Sequence, residues 1–148
     1  MLARGLYHAE KETDMRAIMI AALLMLPVAC AAGPGSRQIG SGEWRAVNIN
    51  GVPLVADSML TLRLDDGRAS GNSGCNSFSA TYENLSRQRI RFGPLATTRA
   101  ACASEALTEQ ERRYQSAVEA AQSYSFYGDG SMSLIAGDGR AIRFRPGG

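Results

Sequence analysis

The residues best suited to chemistry in this sequence are three cysteines, a few clustered carboxylates and a run of small polar side chains around Cys75. His8 and Lys11 are the only histidine and the only lysine. Beyond Lys11, therefore, no Ser-His-Asp or Cys-His arrangement can be assembled. Histidine-ligated zinc is excluded on the same ground, and Cys75 and Cys102 alone are too few soft ligands for a structural zinc site. Glu105, Glu109 and Glu111 fall at the expected start of a helix, and Asp65 and Asp66 in a turn. There, favourable charge near a helix N-terminus and ordinary turn chemistry account for them without acid–base catalysis. No glycine-rich loop has the strand-to-helix spacing that cradles phosphate. Asn76 and Ser77, with Ser79 beyond them, are the candidate polar binding residues; the alternative is that they satisfy backbone groups in a tight chain crossing. We expect no catalytic residue, metal or cofactor, and a non-enzymatic protein.

Upstream of these residues lies an apolar run, Ala17-Ile18-Met19-Ile20-Ala21-Ala22-Leu23-Leu24-Met25-Leu26, preceded by Arg16. It has the charged and apolar regions of an export signal and falls short of the roughly twenty residues a membrane span needs. Met15-Arg16 would make a compact signal start, which places His8 and Lys11 outside the mature protein. Leu26-Pro27-Val28-Ala29-Cys30 resembles a bacterial lipobox, with Pro27 where leucine is usual. Residues 1–29 are thus expected to be a signal peptide and Cys30 a lipidated first residue on a tether spanning 30–42; ordinary cleavage near Ala32 is the alternative. The expected location is the cell envelope, lipid-anchored and facing the periplasm, or soluble there if Cys30 is not acylated. Removing residues 1–29 leaves the net charge of +2 unchanged, because Arg4, Lys11 and Arg16 balance Glu10, Glu12 and Asp14. A balance so near zero argues against a nucleic-acid partner. With Cys30 taken by lipid, Cys75 and Cys102 form an even pair in an oxidising compartment, where a disulfide persists. Such a bridge would contribute about 3.5 kcal/mol on the chain-entropy model. Two separate buried thiols are the alternative.

The elements that must position these residues are mostly strands. Residues 44–49 have strand character, and Asn50-Gly51 is the dipeptide of a type I′ hairpin turn. Met59-Leu60-Thr61-Leu62-Arg63-Leu64 alternates apolar and polar, as does Arg89-Ile90-Arg91-Phe92. Gly71 and Gly74 suggest a tightly folded crossing, and residues 83–88 read as a loop. Arg87, Arg89 and Arg91 form a basic strip that could touch anionic lipid head groups near an anchored Cys30. Thr108-Glu109-Gln110-Glu111 has the form of a capping box. The helix behind it carries Leu107, Tyr114, Ala117, Val118 and Ala121 on one side. Three strands close the chain, over 124–127, 132–136 and 141–145, with Tyr124, Phe126, Met132, Leu134, Ile142 and Phe144 facing inward. Trp44 is expected in the core.

Two stretches carry a family resemblance. Gly74, Cys75, Asn76, Phe78 and Tyr82, followed by Thr98, Ala101 and Cys102, resemble the paired motifs of the META domain, also called the HslJ-like family. Ala80 stands where that family usually has glycine and Ala100 where it usually has methionine. The resemblance covers roughly residues 43–145 and assigns 43–148 to one such domain. It implies a mainly β (α+β) fold, an antiparallel barrel-like sheet of about eight strands with one short helix packed on it. It also implies an association with heat shock and antibiotic tolerance. The length of 148 residues has room for one domain. The expected function is a non-enzymatic, membrane-anchored envelope lipoprotein, expected as a monomer, that binds a partner or supports the envelope under stress. Two alternatives are a carrier enclosing a small apolar ligand in the barrel and an inhibitor of an envelope hydrolase.

Overall fold

The computed structural model describes residues 39–148; the expected signal peptide, Cys30 and most of the tether lie outside the described residues. The described residues form ten strands and one helix: β1 (Gly42–Ile49), β2 (Val52–Pro53), β3 (Leu60–Asp65), β4 (Arg68–Ser73), β5 (Ser77–Leu85), β6 (Arg89–Phe92), β7 (Ala96–Thr97), α1 (Glu105–Glu119), β8 (Ala121–Phe126), β9 (Met132–Ala136) and β10 (Ala141–Pro146). Eight of them run in the order β1-β3-β4-β5-β6-β8-β9-β10, and β10 pairs antiparallel with β1 to close the barrel; β2 adds to β1 and β7 to β5. Closure removes the exposed edges that an open sheet of this length would present.

The period-two pattern of the sequence fills the interior. Leu60, Leu62 and Leu64 of β3, Met132 and Leu134 of β9, and Ile142 and Phe144 of β10 are almost wholly buried. Trp44 and Phe126 are only partly buried, packed against that core with ring centroids 6.0 Å apart. In β1 the buried residues Ala46 and Ile49 are three apart, which a regular strand cannot place on one face. A bulge between Ala46 and Asn48, in the pairing with β10, absorbs the extra residue.

The expected I′ turn at Asn50-Gly51 has the left-handed backbone it requires, with φ of 54° and 76°, and the turn at Asp66 and Gly67 has the same character, with φ of 40° and 77°. Elsewhere the structure departs from expectation. Gly71 lies within the regular strand β4 rather than in a crossing. A Cβ there would overlap the Thr61 carbonyl and stand 2.9 Å from the Phe78 ring, so glycine serves close approach. β5 continues through Leu85, taking in residues expected in a loop, and the turn falls at Arg87 and Gln88, both with positive φ. Ile39, expected in the tether, is buried, and its backbone N–H donates to Tyr124 Oη at 3.2 Å. The folded part therefore begins ahead of Glu43.

Helix α1 starts a turn earlier than the apparent capping box. Ser104 is the N-cap, its hydroxyl accepting from Leu107 N at 3.2 Å, and Thr108 lies inside the first turns with its hydroxyl donating to Ser104 O. Ala121 belongs to β8, not to the helix. The helix packs against β4, β6, β9 and β10. Its Tyr114 is fully buried, donates to Thr61 O at 2.9 Å and meets the rings of Phe78 and Phe144. Burial pushes the Tyr114 hydroxyl pKa upward, so it stays a donor.

Candidate functional site

The residues singled out around Cys75 converge with Cys102 and with one residue the sequence did not single out as interior, Glu111. At the end of β4 the chain turns on Gly74, whose φ of 121° suits glycine, and its N–H is held by Asn72 Oδ1 at 2.7 Å. Cys75 on this turn is bonded to Cys102, 27 residues on, with Cα atoms 5.3 Å apart. The turn before β5 is thereby tied to the segment that leads into α1.

Beside the disulfide, Glu111 reaches in from the helix. It is 9% exposed, and its Oε1 accepts from the Ser73 hydroxyl at 2.6 Å and from Asn76 N at 2.8 Å, while Oε2 accepts from Asn76 Nδ2 at 2.9 Å. Asn76 Oδ1 accepts from Thr98 Oγ1 at 2.9 Å and Ala100 N at 2.7 Å, and its Nδ2 also donates to Ala100 O at 3.1 Å. Both donors and both acceptor sites of the Asn76 amide are thus engaged within the protein. Gln115 Nε2 donates to Ser73 Oγ, and the Ser73 hydroxyl also lies 2.9 Å from Asn76 O. A buried carboxylate accepting several hydrogen bonds is one of the few ways such a charge is kept inside a protein.

Asn76 is therefore a structural hub with its polar atoms turned inward. Ser77 is exposed; its backbone N–H donates to Thr98 Oγ1 and its carbonyl accepts from Thr98 N. Of the family-motif residues, Phe78 is buried against Tyr114 and Tyr82 is partly buried against Phe92. Thr98 secures the amide of Asn76, and Ala101 is exposed. Cys102 Sγ stands 3.5 Å from Glu111 Oε2; as a disulfide sulfur it carries no hydrogen, so this is a contact and not a hydrogen bond.

The signal for Glu111 was present in the sequence. Leu107, Glu111, Tyr114 and Val118 are spaced by four, three and four, so a carboxylate occupies the apolar stripe of the helix. By contrast Glu109 faces outward and pairs with Arg112 and Arg113, both at 2.7 Å. The hydrogen bond from Arg112, then that from Arg113, lowers its pKa to about 2. Among the described residues, clefts open to solvent lie elsewhere, such as one of about 500 Å³ beside Arg45, Met59 and Arg145 and one of about 220 Å³ between Val52 and Arg113.

An eight-stranded antiparallel barrel carrying one helix, with its β4–β5 turn cross-linked to the segment before that helix, defines a class of small β-barrel domains. The model of the META domain matches residues 37–147, and the chain belongs to that family. Among solved structures it is similar to an NMR structure of a protein from Burkholderia xenovorans, with 21% identity and a TM-score of 0.61, over 72% of this chain and 82% of that one. It is also similar to the crystal structure of a DUF4847 family protein from Bacteroides vulgatus, with 14% identity and a TM-score of 0.51, over 71% of this chain and 92% of that one. At these identities the likeness is one of fold. No curated protein matches the chain.

Proposed function

We propose that this META-domain protein is a non-enzymatic lipoprotein of a bacterial cell envelope, anchored through Cys30, whose barrel acts by presenting its outer surface to a partner. Its role would be binding or support of the envelope under stress. The observation that carries this is the Cys75–Cys102 disulfide, which fits an oxidising compartment, downstream of a lipobox-like Leu26-Pro27-Val28-Ala29-Cys30. Absence of turnover is inferred from a chain with no histidine or lysine beyond Lys11. The packing of Phe78, Tyr114, Tyr124 and Phe144 in the interior favours an external surface over an enclosed apolar ligand.

Intact-mass spectrometry of the membrane fraction tests both halves together. The expected species begins at Cys30, carries acyl groups, and is lighter than its reduced form by two hydrogens. An unacylated chain starting near Ala32 would overturn the anchor. Free thiols at Cys75 and Cys102 would overturn the compartment.

A further inference from the structure

Cys75, Cys102 and Glu111 come from three separate segments, and their two sulfurs and a carboxylate oxygen all lie within 4.8 Å of one another. A tetrahedral zinc ion with bonds of about 2.3 Å to sulfur and about 2.0 Å to oxygen has a sulfur-to-oxygen edge of roughly 3.5 Å. The separation between Cys102 Sγ and Glu111 Oε2 is 3.5 Å. That contact, seen in the disulfide form, matches one edge of a zinc polyhedron, and reduction must part the two sulfurs from bonding distance to the roughly 3.8 Å that two thiolates on one zinc require.

The carboxylate is also oriented as metal ligands are. Ser73 and Asn76 N hold Oε1, and Oε2, which accepts from Asn76 Nδ2, lies 3.5 Å from Cys102 Sγ. Hydrogen bonds of this kind fix a ligand's orientation and tune its affinity. Both cysteines are partly exposed, which leaves an open side for a water molecule once the bond is reduced. We infer that the reduced form of this domain is a zinc site, with Cys75, Cys102 and Glu111 as protein ligands and water as the fourth.

The conversion balances as follows. A dithiol gives two electrons and two protons to the Cys75–Cys102 bond and leaves as its own disulfide; zinc then displaces both thiol protons to solvent as the two Zn–S bonds form. The metal reinstates, under reducing conditions, the link between the β4–β5 turn and α1 that the disulfide supplies under oxidising ones. This does not depend on whether Cys30 is acylated.

The test uses the full chain bearing Cys30→Ser, so that Cys75 and Cys102 are its only cysteines, reduced with a dithiol and desalted without air. Titration with Co²⁺ should show one ion per chain, a thiolate-to-cobalt charge-transfer band, the visible absorption of four-coordinate cobalt, and displacement by Zn²⁺. The oxidised chain should bind none. Glu111→Gln should weaken binding at least about tenfold, the lower end of what even an outer-shell partner contributes. Absence of the charge-transfer band, or Glu111→Gln binding as tightly as the parent, would overturn the site. Zinc-edge X-ray absorption on the parent needs no variant and guards against misfolding of Glu111→Gln. It should count two sulfurs and two lighter atoms, and any other number of sulfurs overturns the assignment.

Discussion

Replacing Glu111 with alanine isolates the polar network from the covalent link beside it. The structure gives the magnitude through the donors left behind. The Ser73 hydroxyl keeps a second acceptor in Asn76 O, so it is not stranded. The Asn76 backbone N–H and one Nδ2 hydrogen lose their acceptor, in a residue only 5% exposed. An unsatisfied buried donor costs about 1–3 kcal/mol, so two cost roughly 2–6 kcal/mol. Release of a desolvated carboxylate offsets part of that, and we expect a net loss of about 3 kcal/mol, a large share of the 5–15 kcal/mol that holds a typical domain together. The assay is urea unfolding with the disulfide intact, in which the midpoint should fall at unchanged slope. Glu105→Ala, which removes the same charge from an exposed position in the first turn, should cost less than about 1 kcal/mol. A cycle combining Glu111→Ala with Asn76→Ala should show a coupling of at least about 1 kcal/mol. If Glu111→Ala costs no more than Glu105→Ala, or the two substitutions simply add, the network does not hold the turn to the helix.

Two further outcomes follow from geometry. Gly71→Ala forces a methyl group into the Thr61 carbonyl and against Phe78, and should cost at least about 1–3 kcal/mol by thermal unfolding. Gly128→Ala, where nothing lies within 4 Å of the added methyl, should stay within about 0.5 kcal/mol, and equal effects at both glycines would refute the close-approach account. Glu109 has a folded-state pKa lowered by Arg112 and Arg113 from 4.5 to about 2. Its contribution is present above pH 4.5 and is lost as the pH falls toward 2, so Glu109→Gln should flatten the acid limb of a stability profile in that window. An unchanged acid limb would show that these ion pairs contribute nothing measurable, as exposed pairs often do.

How much of this was legible in the sequence depended on the range of the interaction that decides each feature. The alternation in β3, β6, β9 and β10 and the dipeptides Asn50-Gly51 and Asp66-Gly67 are local, and each lies where its pattern places it. The start of α1 was misplaced because two hydroxyl residues four apart, Ser104 and Thr108, both precede acidic residues. Only the backbone at Ser104, with φ −152° and ψ 160°, decides which one caps the helix. The bulge in β1 was hidden because it is set by pairing with β10, nearly a hundred residues away.

The motif residues themselves gain a physical meaning from Glu111. A carboxylate on the buried face of a helix is untenable unless donors meet it, and the residues that do so are Ser73 and Asn76, on either side of Gly74-Cys75. Asn76 can serve only if its own carbonyl is satisfied, which Thr98 and Ala100 accomplish, and these lie just before Cys102. The two motifs are therefore halves of a single joint between the β4–β5 turn and α1, bonded once through sulfur and several times through the Asn76 amide. Asparagine next to the cysteine follows from the helix it must hold.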